Sequence, residues 1–174
     1  MIKTKIILGL LLIICPLLGI HAEGQEGNTY ETAERLFYIA RSANKNLVCY
    51  DINLKNGKMD IQKPLKVYWI NREEHPGEIG ELSFFQRKMA YGYKLLSANN
   101  TACVCTLTAY SKRKLTITQR GNEYVCLTDI NNDKAILQSL YIKASPRNPM
   151  NVEYVKLYGI SLSTNQPVTE IIKP

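Results

Sequence analysis

The chain has 174 residues, 45% of them hydrophobic, with 22 Lys plus Arg against 15 Asp plus Glu, a formal charge of +7. A domain of this length buries enough of its own surface to fold without metals or disulfide staples. The positive balance is moderate and interspersed with acids, and neither a basic helix nor an aromatic RNA-binding motif accompanies it, so a nucleic-acid partner is not expected.

In chain order, Lys3 and Lys5 precede an apolar run from Ile6 to Leu18, and Gly19 to Ala22 supply a small-residue end. This pattern reads as a secretory signal over residues 1–22, cleaved after Ala22. A membrane anchor competes, but the run is shorter than the ~20 residues that span a bilayer and Pro16 interrupts it. Cys15 follows Ile14 inside the run, which does not suit a lipid-anchor site. An exported protein, periplasmic or extracellular, is therefore expected, with no transmembrane segment after cleavage. Residues 23–34, EGQEGNTYETAE, read as a flexible leader, and residues 35–174 as a single domain.

Leu36–Arg41 and Leu47–Leu54 have the aromatic and β-branched content of strands. Asn56-Gly57 is the pair favoured in a two-residue hairpin turn, because both central positions need positive φ. That turn sets Leu54 opposite Met59 and Ile52 opposite Ile61, and side-chain alternation then puts Val48, Tyr50, Ile52, Leu54, Met59 and Ile61 on one face. Leu65–Ile70 reads as a strand and "NREEHPGEIG" as a loop. In "ELSFFQRKMAY" the spacing of Leu82, Phe85 and Met89 predicts an amphipathic helix that stops near Tyr91, with Gly92 as a left-handed cap.

Past Gly92, "YKLLS", "ACVCTLTAY", "LTITQ", "YVCLTDI", "AILQSLYIKA" and "VEYVKLYGISL" read as successive strands. "SKRK" is expected to be a turn, which would make Lys112-Arg113-Lys114 a solvated tip. Gly121-Asn122 is expected to form a hairpin with Arg120 opposite Glu123. Short connections imply antiparallel pairing. The fold class that follows is mainly β: an antiparallel β-barrel or curved sandwich of about nine strands with one amphipathic helix over an opening or a face.

Four cysteines remain after signal cleavage: Cys49, Cys103, Cys105 and Cys126. Two disulfides are allowed by the count, but Cys103 and Cys105, two apart in a strand, point to one face without easily bonding each other, and buried thiols are the simpler account. "LFYIARSANKNLVCYD", "VYWI", "ELSFFQRKMAYGYK" and "VEYVKLYGISLSTNQPVTE" together resemble a family of small exported bacterial proteins catalogued only as a domain of unknown function. The resemblance implies a single domain and carries over no activity, cofactor or catalytic residue.

Without the signal, the chain's histidines reduce to His75, in the charged loop "REEHPGE", so any Ser-His or Cys-His mechanism would have to use it. A metal set of Glu73, Glu74, His75 and Glu78 requires two adjacent glutamates to converge on one ion, which is uncommon. Acidic pairs such as Glu78 with Glu81, or Asp51 with Asp60, would serve sugar hydrolysis if they faced across a cleft. The remaining candidate is a polar rim of Arg41, Arg72, Arg87 and Tyr91 near one end of the β-structure, suited to orienting an anionic group. No catalytic residue, metal or cofactor is assigned. The expected function is non-enzymatic binding of a small molecule, lipid, glycan or envelope partner. A hydrolase using His75 or an acidic pair, and an envelope assembly protein exposing a sheet edge, are the alternatives.

Overall fold

The computed structural model describes residues 34–173, so the expected signal, and the leader apart from Glu34, lie outside the described residues. The described residues form β1 (Arg35–Arg41), β2 (Asn44–Ile52), β3 (Leu54–Lys55), β4 (Lys58–Met59), β5 (Leu65–Ile70) and β6 (Ile79–Glu81). A short helix α1 (Phe84–Gln86) runs on into a π-helical turn (Arg87–Tyr91). Then come β7 (Tyr93–Ala98), β8 (Ala102–Leu107), β9 (Tyr110–Arg120), β10 (Glu123–Ile130), β11 (Asp133–Ser145), β12 (Asn148–Ser161) and β13 (Pro167–Ile172). The protein is mainly β, as the sequence patterns predict, and its main sheet is curled into a half-barrel.

β11 organises that sheet. Along one edge it pairs with β12, from Ala135 opposite Ser161 to Ser145 opposite Asn148. Its other edge is divided: Asp133–Ile136 pair with β10, and Ser139–Ile142 pair with β1. Two arms, β10-β9-β8-β7 and β1-β2-β5-β6, thus leave the same edge of one strand and have to diverge, which brings a face of one over a face of the other. A bulge between Leu137 and Ser139 falls where β11 passes from the first arm to the second, and bulges bend and twist the strand that carries them. The β1–β11 pair is parallel, which corrects the expectation of purely antiparallel pairing. No short turn joins these two strands, so nothing local sets their relative direction.

The core lies between the arms. Phe37, Val48, Tyr50 and Ile52 from one arm meet Cys103, Cys105, Leu115, Ile117 and Cys126 from the other, with Leu137 and Leu157 at the junction. Phe37 and Tyr50 stack with ring centroids 4.4 Å apart.

The Asn56-Gly57 turn forms with φ of 54° and 72°, and Leu54 faces Met59 as expected. The hairpin ends there. Ile52 pairs with Leu65, not with Ile61, and Ile61 is exposed. Asp60 is the reason: its carboxylate accepts from the Gln62 and Lys63 amides and turns the chain away. The basic triplet also differs from expectation. The β8–β9 turn is at Thr108–Ala109, so Lys112–Lys114 lie within β9, and Arg113 bonds Glu170 of β13 at 2.8 Å. The short β6 falls mostly within the expected loop NREEHPGEIG, and β13 follows the last expected strand.

The outer strands of the two arms, β6 and β7, do not pair with each other. The helical segment runs across this seam from one to the other. Two tyrosines fasten it. Tyr50 Oη donates to the Tyr91 carbonyl at 2.7 Å. Tyr93 Oη accepts from the Leu65 amide and donates to the Leu65 carbonyl, each at 3.4 Å.

Candidate binding face at the seam

The seam segment begins with a capping box: Gln86 N donates to Ser83 Oγ at 3.2 Å and Ser83 N donates to Gln86 Oε1 at 2.8 Å. The same Gln86 oxygen accepts from Trp69 Nε1 at 3.2 Å, which ties the turn to the chain's single tryptophan. Trp69 meets the Tyr91 ring edge-on at 5.2 Å. Behind Tyr91 stands Arg41, its guanidinium carbon 5.9 Å from the ring centroid.

Which side of this segment is buried corrects the amphipathic reading. Leu82 is buried but precedes the helix, and Tyr91 is buried at its end. Phe84, Phe85 and Met89 are 70%, 76% and 67% exposed, and Ile79 on β6 is 65% exposed. Leu82 lies outside the helix, Phe85 in the α-helical turn and Met89 in the π-helical turn, so their three-and-four spacing does not mark one inward stripe. Gly92 departs from expectation as well. Its φ is −68°, not left-handed, and its need is for space, because a Cβ would stand 1.9 Å from the Arg87 carbonyl oxygen.

Of the four expected site residues, Arg41 and Tyr91 are brought together. Arg41 Nη2 also donates to the Pro149 carbonyl at 3.3 Å, while Arg41 Nε and Asn44 Oδ1 are buried without a hydrogen-bond partner. Burial pushes the Tyr91 hydroxyl above its ordinary pKa, with Arg41 opposing the shift. Arg87 turns to its own segment, bonding the Leu82 carbonyl at 3.1 Å and Glu81 at 3.2 Å. Arg72 follows β5 at the same end of the sheet, its amide held by Asn46 Oδ1 at 2.9 Å. The sequence reading missed Trp69 and Gln86, although Ser83-x-x-Gln86 is a recognisable capping pair.

The residues considered for hydrolysis are dispersed. His75, Glu78 and Glu81 are exposed. Asp51 is buried and engaged by the Arg35 guanidinium and by Tyr68 Oη at 2.6 Å, and Asp60 is occupied in its turn. Burial, then the bond to Asp51, pushes Tyr68 up to about 12. Among the described residues, no group of three or more His, Cys, Asp or Glu could hold a metal ion, and no helix is long and apolar enough to cross a membrane. The four cysteines are free and buried.

A family described as Domain of unknown function (DUF4833) matches residues 37–171. No curated protein and no solved structure matches the chain.

Proposed function

The chain belongs to the DUF4833 family of domains of unknown function, and from that premise we propose that it is an exported, non-catalytic binding domain whose ligand surface is the outward side of the seam segment. The observation that carries this reading is the concentration of Ile79, Phe84, Phe85 and Met89 within eleven residues, each about two-thirds exposed or more. Clustered apolar side chains facing water are costly and mark sites of association, whereas scattered ones are ordinary. Lys88 lies 5.4 Å from the Phe84 ring centroid, while Arg87 is paired with Glu81, so the surface offers apolar area with Lys88 at its margin. The partner this suits is an amphiphile: an apolar body bearing an anionic group. The core is filled by Tyr50, Phe37, Leu115 and Leu157, which favours a ligand held on the surface over one inside the half-barrel.

Trp69 reports on this surface through its bond to Gln86 and its contact with Tyr91. Titration with sodium dodecanoate below its micellar concentration should change Trp69 fluorescence saturably, and Phe84→Ser/Phe85→Ser should weaken the response at least tenfold. A flat titration, or an equal response from the folded double variant, would refute the reading.

A further inference from the structure

We infer that the partner of this surface is an anionic phospholipid bilayer, into which the seam segment inserts while two neighbouring hairpin tips contact headgroups. This rests on the reading above and adds the form of the amphiphile. The tips are the β1–β2 turn and the β11–β12 turn. They pack together: Ser42 N donates to the Ile142 carbonyl at 3.0 Å, Ala144 N donates to Ser42 Oγ at 2.9 Å, and Arg41 reaches the Pro149 carbonyl. Residues 41–46 and 143–150 contain Arg41, Lys45, Lys143 and Arg147 and no acid. Met150, in the second tip, is 86% exposed.

The seam and the tips are joined at one end of the molecule. Ile70 pairs with Leu47, two residues after Lys45, and with the exposed Ile79. Arg41 is shared, one side against the β11–β12 tip and the other over Tyr91, two residues after Met89. The end therefore combines outward apolar side chains with an acid-free cluster of cations. That is the chemistry of a bilayer interface, where apolar side chains enter the acyl boundary and nearby Lys and Arg are attracted to anionic lipid. The acids of this end lie on the loop between β5 and β6, with Glu73, Glu74 and Glu78, and on β6, with Glu81 paired to Arg87, so the attraction depends on the tips. A projecting turn with its apolar chains outward fits a broad surface, which receives several side chains at once. A solitary ligand needs a concavity to be enclosed.

The test is co-sedimentation of the full mature chain with vesicles of phosphatidylcholine alone or mixed with phosphatidylglycerol. Wild type should pellet with the mixed vesicles and at least tenfold less with phosphatidylcholine. Lys143→Glu/Arg147→Glu should abolish the preference, and Phe84→Ser/Phe85→Ser should weaken binding to the mixed vesicles, all variants keeping the wild-type near-ultraviolet circular dichroism. Failure to pellet, or pelleting indifferent to both lipid charge and the tip variant, overturns the inference. If wild type ignores vesicles while Trp69 still responds to dodecanoate, the bilayer inference fails and the amphiphile reading stands; if both are silent, both fail. Sedimentation equilibrium without lipid closes the remaining route: a dimer lost in the Phe84→Ser/Phe85→Ser variant would assign the face to a second copy and overturn the inference.

Discussion

Tyr50 Oη, from a strand of one arm, donates at 2.7 Å to the carbonyl of Tyr91, the last residue of the π-helical turn. The bond is buried, and it holds the seam segment against the curled sheet at the point where that segment ends. Burial pushes the Tyr50 hydroxyl well above its ordinary pKa, so it remains a donor at physiological pH. Tyr50→Phe keeps the stack on Phe37 but leaves the Tyr91 carbonyl without this donor. An unsatisfied buried acceptor costs about 1–3 kcal/mol. Urea unfolding should show a loss of that size, with a shift in the folded-state Trp69 emission, because Trp69 packs on Tyr91.

The second prediction concerns the ion pair on the outer side of the same arm. Asp51 is engaged by Arg35 and by Tyr68, with side-chain exposures of 10% and 7% for Arg35 and Asp51. Removing one charge of a buried pair strands the other and costs about 3–5 kcal/mol, whereas apolar replacement of both is far milder. Asp51→Ala should therefore destabilise strongly, and Arg35→Met/Asp51→Leu should recover most of the loss in the same denaturation assay.

Gly159 sits opposite Leu137 beside the bulge from which both arms diverge. An added Cβ would lie 2.6 Å from Ile130 Cδ1 and 2.6 Å from the Ile136 carbonyl oxygen. The Ile130 side chain could yield; the Ile136 backbone, held in the sheet, has no room to. Gly159→Ala should cost about 1–3 kcal/mol as an overpacking change, and the additional substitution Ile130→Val should not restore wild-type stability.

The thiols set an alkaline limit. Burial pushes Cys49 and Cys103 up to about 11 and Cys105 up to about 12, against an ordinary value of 9.0, and it raises Cys126 well above that value too. Each raised pKa means that the unfolded chain releases its proton first. The stabilisation is complete below pH 9 and disappears as pH rises through 11 to 12, on the order of 3–4 kcal/mol per thiol. Denaturation midpoints should be flat across neutral pH and fall steeply above pH 9. At pH 8 a thiol reagent should label these four cysteines only after denaturant is added. Prompt labelling of the folded chain would contradict the burial.

Where neighbouring residues alone decide geometry, the sequence was informative. Asn56-Gly57 specified its turn and the Leu54–Met59 pairing, because positive φ is affordable there and costly elsewhere. Gly121 likewise set Arg120 opposite Glu123. The same reasoning overreached two residue pairs later, since whether Ile52 faces Ile61 or Leu65 depends on how Asp60 redirects the chain. Asn131-Asn132, with φ of 53° and 65°, was an overlooked turn signal of the same kind.

The candidate site was legible in its residue types but not in its orientation. Arg41 and Tyr91 are fifty residues apart and meet only because the seam segment returns across the sheet. Phe84, Phe85 and Met89 have the composition of a buried face, and the seam segment presents them to water.

The sequence by itself determined the strand-rich class, the local turns and the alternation that fills the core, since these follow from φ preferences and a period of two within a few residues. Tertiary structure alone decided that two arms share one edge of β11, that β1 joins it in parallel, and that the seam segment points its apolar chains outward. Those choices depend on contacts between residues far apart in the chain, and no short-range preference encodes which distant partner a strand edge or a ring will meet.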